Sequence, residues 1–486
     1  MPQRVQFSHA GLVHLCVTRG ARRRFTLGAF LLIVAGACNN GSADTPTVPV
    51  TIPSPSADGV WVVTNGEAQI APVGELFQLA LADSKLRFAD PAGGGLAIEI
   101  MMTPSAGGLS VSGRSIVGVP PSSAVTIVTV AATDIHGRTA RSSFPIVAMR
   151  NDLPAPMMPA QPYGYSDAAI PLPSAIANSP QVVRIDNMLS SANPVTDAGA
   201  ALGRVLFYDR RLSSNDAVSC ASCHQQQFSF SDTARLSVGV RGTTTRRHSM
   251  ALTNVRFYGP SRFFHDERGA TLEALALQPV FDAVEMGLHP DAVVPKLGAA
   301  PFYAPLYAAA FGDSNITLDR TARALSQFVR SLRTTGGKID SLLANTVTFT
   351  DQEFRGLVLF EAAGCKGCHE SYAVVGDAAR NNGLDAHTVD EGAGQGRMKP
   401  PSLRNVVQRP PYMHDGRFRT LEEVIDFYDH GVQNNPDLDQ RLRDQNGLPK
   451  RLHLTVDQKT ALMAFLNTFT DRTFLRDPRF SDPFPR

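Results

Sequence analysis

The strongest constraint on this chain is a five-residue frame that occurs twice. Cys220-Ala-Ser-Cys223-His224 and Cys365-Lys-Gly-Cys368-His369 both read Cys-x-x-Cys-His. This is the signature of c-type haem attachment: each thiol adds across a haem vinyl group, and the adjacent His supplies an iron ligand. A structural zinc site would need more thiolate or imidazole ligands beside each pair. A thioredoxin-like pair would need a βαβ pattern and no His. Two covalently bound haem c groups are therefore expected, held by Cys220, Cys223, Cys365 and Cys368, with His224 and His369 as proximal iron ligands. The two other cysteines, Cys16 and Cys38, fall in a leader-like segment, so none remains for a disulfide framework.

That leader has the parts of an export signal. Arg19, Arg22, Arg23 and Arg24 form a basic start, and Phe25 to Ala37 is apolar. The apolar run is shorter than the ~20 residues that span a bilayer, so residues 1–38 read as a signal peptide. Its end, Ala35-Gly36-Ala37-Cys38, resembles a bacterial lipobox without the usual Leu three residues before the cysteine. Ordinary cleavage near Ala37 is the alternative. The expected location is periplasmic, with membrane attachment only through a lipid on Cys38. Residues 39–57, rich in Ser, Thr, Pro, Asn and Gly, read as a flexible linker.

A length of 486 residues admits several domains at ~100–200 residues each. Residues 58–149 alternate short β-branched runs with Gly, Pro and Ser turns, as in Ala124–Ala132, and suggest an all-β immunoglobulin-like sandwich. His136 sits in a turn there and reads as solvated. Residues 150–182 are Pro-rich and mark a linker. Beyond them the pattern is helical. Leu318, Ala322, Leu325, Val329 and Leu332 follow helical spacing. Thr350 with Glu353, Thr420 with Glu423, and Thr455 with Gln458 make capping boxes. Lys+Arg of 46 against Asp+Glu of 44 lacks the basic excess of a nucleic-acid binder.

Further motifs flank the haem frames. They are Leu202-Gly-Arg-Val-Leu-Phe-Tyr-Asp-Arg-Arg-Leu-Ser-Ser214, Arg247-His-Ser-Met-Ala-Leu-Thr-Asn254, Phe264-His-Asp-Glu-Arg-Gly-Ala-Thr-Leu-Glu273, Val284-Glu-Met-Gly287, Pro401-Ser-Leu-Arg-Asn-Val406 and Pro411-Tyr-Met-His-Asp-Gly416. Over residues 185–470 the chain resembles the di-haem cytochrome c peroxidase/MauG family. The resemblance implies two mainly α cytochrome c-like domains, a peroxidatic one at 183–345 and an electron-transfer one at 346–475, with a tail at 476–486. Together with the β-sandwich this makes a multidomain chain.

The resemblance also implies roles. Val240 takes the position of a removable His ligand, so the first haem is expected to be open. Glu285 matches a distal carboxylate that moves a proton during O–O cleavage. His265 stands where the family has a Trp between the haems; it is the second candidate catalytic residue, or binds a propionate. His248 replaces a calcium-ligating Asn, alongside carbonyls of Arg409 and Pro411. Calcium prefers oxygen, so a His weakens that site. His414 reads as close to the second haem without ligating it, and His289, His387 and His453 as surface or hydrogen-bonding residues.

Four residues after His369 could supply the second iron's sixth ligand: Met398, His414, Tyr428 and His430. In a helix started by Thr420 and Glu423, Leu421, Val424 and Tyr428 share a stripe and His430 lies opposite. Tyr428 is therefore expected to face inward. By the resemblance it also takes the axial Met position, where MauG carries Tyr. Met398 is the alternative.

The expected activity is reduction of hydrogen peroxide with electrons from a small cytochrome or copper protein. The first alternative is MauG-like, peroxide-dependent oxidation of aromatic residues in a partner protein. The second is a carrier or haem sensor without turnover. No nucleic-acid partner is expected.

Overall fold

The computed structural model describes residues 59–485, apart from 92, 105–106, 179–191, 259–262 and 370–377. The segments read as a signal peptide (1–38) and a linker (39–57) lie outside the described residues.

The N-terminal region is built of β1 (Trp61–Thr64), β2 (Gln69–Pro72), β3 (Phe77–Ala80), β4 (Arg87–Ala89), β5 (Ala97–Thr103), β6 (Leu109–Ser112), β7 (Ser115–Gly118), β8 (Ala124–Thr133) and β9 (Thr139–Met149). They form a four-stranded sheet in the order β2-β9-β8-β5, a three-stranded sheet β3-β7-β6, and the pair β1-β4. The alternation seen in the sequence sends every second side chain to one face. Val128, Val130, Phe144 and Ile146 of the larger sheet thereby meet Phe77, Leu79 and Ile116 of the smaller across one core. β8 and β9 join through an Asx turn: the Asp134 carboxylate accepts from the backbone N–H of His136 (2.8 Å) and Arg138 (2.9 Å). His136 is exposed there, as its turn position predicted.

The described part of the Pro-rich segment that follows is bound to the helices. Prolines remove donors and fix φ, so an extended chain needs few partners. Those it keeps are specific. Asp197 accepts from the N–H of Tyr165 and of Ser166, both at 2.7 Å, and the Tyr165 hydroxyl donates to the carbonyl of Arg479 (2.8 Å).

The helical region repeats one device. α1 (Asp197–Tyr208), α2 (Pro290–Gly298) and α3 (Leu318–Ser331) belong to its first half. α4 (Asp351–Ala362), α5 (Leu421–Asp426) and α6 (Val456–Asn467) belong to its second. α1 crosses α3 at Gly203, where a methyl group would lie 2.0 Å from the Ala324 carbonyl oxygen. α4 crosses α6 at Gly356, where a methyl would lie 2.0 Å from that of Ala461. Only glycine permits such backbone-to-backbone approach. The capping boxes at Thr350, Thr420 and Thr455 are all formed.

Each half has its own apolar core. Leu202, Leu206, Leu325 and Phe328 anchor the first, and Phe360, Leu421, Ile425 and Phe465 the second. Two outside segments enter the first core: Val147 and Met149 of β9, and Phe474, Leu475 and Phe480 near the C-terminus. The C-terminal tail is thus part of the first half's packing. Its attachment is polar as well, since Tyr208 donates to the Phe480 carbonyl (2.6 Å) and Arg204 to that of Ser481 (2.6 Å). Among the described residues no helix is long and apolar enough to cross a membrane.

Candidate haem sites

At the first site Cys220–Cys223 form a single helical turn, after which His224 leaves the helix. Its Nδ1 donates to the carbonyl of Phe230 (2.9 Å), which leaves the Nε2 lone pair for a metal. Phe230 is fixed by its ring, packed against Phe207, Phe328 and Phe474 at 5.7, 6.2 and 6.0 Å. Ser229 and Phe230 both have left-handed φ, 61° and 58°. That conformation is costly for non-glycine residues, and here it aims the carbonyl at His224. Burial lowers the His224 pKa, which favours the neutral, ligating form.

A cavity of about 610 Å³ opens beside this turn, with Cys220, Cys223, His224, Phe264, His265 and Glu285 on its walls. Burial pushes the Glu285 carboxyl up, Asp282 adds to the shift, and Arg268 opposes it. The N–H of the buried Val240 donates to the Glu285 carbonyl (2.8 Å). The Val240 side chain packs toward Gly287, where an added methyl would lie 3.1 Å from its Cγ1, and is not among the residues lining the cavity. Burial raises the Cys220 and Cys223 thiols to about 12 and about 11. Exchange-active pairs have lowered values instead.

At the second site His369 Nδ1 donates to the Pro401 carbonyl (3.1 Å). That stretch is pinned by Arg404, whose two terminal nitrogens meet the carboxylate of Asp340 at 2.5 and 2.9 Å in a buried bidentate pair. α5 ends at Asp426 and a π-helical turn, Phe427–Gly431, carries Tyr428. The regular wheel therefore stops short of Tyr428, yet the expected facing holds. Tyr428 packs with Leu384, Met413 and Phe427, and His430 is exposed. The phenol oxygen accepts from Asn382 Nδ2 (3.3 Å), and the same nitrogen lies 3.8 Å from Met413 Sδ. Burial raises the phenol to about 12; Asn382 opposes, and the Cys368 and Cys365 thiols add to it. Met398 instead pairs backbone to backbone with Arg380, its methyl close to Gly392. The thioether beside Tyr428 is Met413. Neither Met413 nor Asn382 was singled out in the sequence.

Between the sites, His265 Nε2 donates to the His248 carbonyl (2.9 Å), and the His265 carbonyl accepts from Lys399 N (2.8 Å). Burial pushes the His265 imidazole down to about 3, so it is neutral. His414 is half-buried, and its carbonyl accepts from His248 N (2.8 Å). Asn405 Nδ2 donates to Ser229 Oγ (3.2 Å), tying the segment after Pro401 to the turn that orients His224.

Two observations test the cofactors. Lys399 is 5% exposed and lines the first cavity, with its ammonium 4.0 Å from the Tyr258 ring centroid and in no hydrogen bond among the described residues. Arg409 is buried, its Nε has no hydrogen-bond partner among the described residues, and burial lowers it to about 10. Buried cations need anions, and haem brings two carboxylates. The residues fit haem c, whose propionates Lys399 and Arg409 would meet. Calcium does not fit at His248. Both ring nitrogens are engaged, Nε2 with Ser231 Oγ (3.2 Å) and Nδ1 with the Ala234 carbonyl (3.1 Å), and the ring offers no oxygen.

A family model described as di-haem cytochrome c peroxidase matches residues 197–348. The methylamine utilization protein MauG of Methylorubrum extorquens is 33% identical over 292 residues, 57% of this chain and 79% of that protein. The chain belongs to the di-haem cytochrome c peroxidase/MauG family. Cytochrome c551 peroxidase of Nitrosomonas europaea is 28% identical, over 58% of this chain and 83% of its own. A solved MauG-like protein associated with microbial copper homeostasis superposes with a TM-score of 0.54 at 32% identity, covering 60% of this chain and 94% of that one. As a family member the chain is a peroxidase-type oxidoreductase with two c-type haems.

Proposed function

We propose that the chain reduces hydrogen peroxide to water at the first site, with electrons that enter at the second from a small cytochrome or copper protein. The reading rests above all on Glu285, a carboxylate on the wall of the cavity that also holds Cys220, Cys223 and His224. Bound haem supplies the iron at which peroxide accepts two electrons. Glu285 takes a proton from one peroxide oxygen and returns it to the departing one, and two further protons complete two waters. His224, held by the Phe230 carbonyl, keeps Nε2 directed to the metal. Val240, being apolar, would offer the iron no ligand.

At the second site His369 and Tyr428 would hold the iron, with Asn382 orienting the phenol oxygen. In this reading 183–345 and 346–475 are cytochrome c-like domains and 58–149 is immunoglobulin-like. His265, its Nε2 bonded to the His248 carbonyl, is a spacer between the sites rather than a proton carrier. The protein is exported to the periplasm, anchored there if Cys38 is lipidated. The MauG relatives support a second reading, oxidation of aromatic residues in a partner protein. Steady-state peroxide consumption with reduced cytochrome c tests the first reading. Absence of turnover, with both haems loaded, removes it.

A further inference from the structure

The β-sheet region is joined to the wall of the first haem site by a continuous run of hydrogen bonds. The run starts at Ser123, 5% exposed, whose hydroxyl donates to the Asp216 carboxylate at Oδ2 (2.5 Å). The N–H of Arg150, just after β9, donates to the same oxygen (3.4 Å). The other oxygen, Oδ1, is held by Lys296 of α2 at 2.5 Å, and neither side chain of this ion pair is exposed. Lys296 also donates to the Ser213 carbonyl (2.7 Å). An ion pair so buried persists only when hydrogen bonds fill its remaining positions. Two of the donors that do so for Asp216 come from the β region.

Beside Asp216 the same loop grips the cavity wall. Ser214 N donates to the Met286 carbonyl (2.9 Å), and Asn215 Nδ2 donates to that of Val240 (3.0 Å). Val240 N closes the circuit on the Glu285 carbonyl (2.8 Å). Val147 and Met149 of β9 meanwhile pack into the core of the first half. The β region therefore contacts, through one carboxylate, the loop that sets the backbone positions of both Val240 and Glu285.

We propose that the β region is a positioning module for the open face of the first haem site, with Asp216 as the junction. The proposal rests on the reading of that face as the peroxide side. It gives an otherwise chemistry-free domain a reason to be docked tightly rather than tethered. A shift of the sheets moves Asp216, and the loop carries the shift to Val240 and Glu285.

The test uses the full-length protein with both haems loaded. Ser123→Asp sets a second carboxylate against Asp216, Ser123→Ala removes only the hydroxyl, and Ser123→Thr keeps it. Cyanide affinity at the first ferric haem is measured with the KM and kcat for peroxide, and the spectrum of the second haem serves as internal control. Coupling carried through packed contacts changes affinity roughly two- to thirtyfold. That change is expected for Ser123→Asp, in cyanide affinity and in KM more than kcat. Ser123→Ala should change less in the same direction, Ser123→Thr should stay at wild type, and the second haem should be unchanged. Unchanged cyanide affinity and KM in both Ser123→Asp and Ser123→Ala overturn the proposal. Equal disturbance of both haems also overturns it, as general loosening. If Ser123→Asp does not fold, the other two variants give the same decision. Cyanide binding needs no turnover, so a failure of the peroxide reading would show separately, as absence of peroxide consumption in the unsubstituted protein with both haems loaded.

Discussion

At the first site two helices touch at Gly203, and at the second two helices touch at Gly356. The first helix of each pair leads into a Cys-x-x-Cys-His frame whose His Nδ1–H donates to a backbone carbonyl, that of Phe230 in one case and Pro401 in the other. Across the cavity the likeness ends. The first site's cavity has Glu285 on its wall, and at the second site stands a phenol held by Asn382. One scaffold is used twice, and only the far side of each pocket differs. An acid–base group with room beside it suits a reactant, and a fixed donor atom suits an iron that only passes electrons.

The sharpest way to break this contrast is to disable one far side at a time. Glu285→Gln is expected to keep both haem spectra and to lose peroxide turnover on the order of 10²-fold, the scale of acid–base assistance. Wild-type turnover would leave the first site without its distinguishing group. Tyr428→Phe should leave the first haem alone and raise the reduction potential of the second, because a phenolate stabilises ferric iron better than the neighbouring Met413 thioether does. Potentiometric titration with optical spectra reads this, and an unchanged second haem takes Tyr428 out of the ligand pair. A smaller effect concerns pH. The Glu285 carboxyl is shifted up by burial, so its proton-accepting form is lost at a higher pH than for a free glutamate. Peroxide consumption should therefore fall as pH drops through that raised value, and a pH profile lacking this limb would detach Glu285 from the rate. The smallest effect is expected from calcium chelation. With both His248 nitrogens engaged, EGTA should change neither haem spectrum nor turnover. A chelator-sensitive spectrum would show a cation bridge between the sites.

What the sequence disclosed follows from how local each constraint is. Covalent attachment fixes Cys220, Cys223 and His224 within five residues, and a capping box fixes Thr420 against Glu423 within four, so both were legible. The facing of Tyr428 was legible too, although the π-helical turn that carries it was not. Other features escaped because their partners lie far apart in the chain. Asn382 reaches Tyr428 across 46 residues and Lys296 reaches Asp216 across 80. The Phe230 and Pro401 carbonyls orient both histidines, and a backbone oxygen leaves no mark on residue choice. Lys399 and Arg409 look like ordinary surface cations until their burial is known.

The packing of Phe474, Leu475 and Phe480 into the first core bears on how the chain is made. The bonds that fasten this segment join residues 272 and 314 positions apart, Tyr208 with Phe480 and Tyr165 with Arg479. Contacts of such separation form late, and a chain synthesised from its N-terminus cannot make them until almost all of it has emerged. The first half's core thus depends on residues that emerge only after the whole of the second half. A truncation just before Phe474 would spare the second site, which it adjoins in sequence, and strike the first, which it adjoins in space.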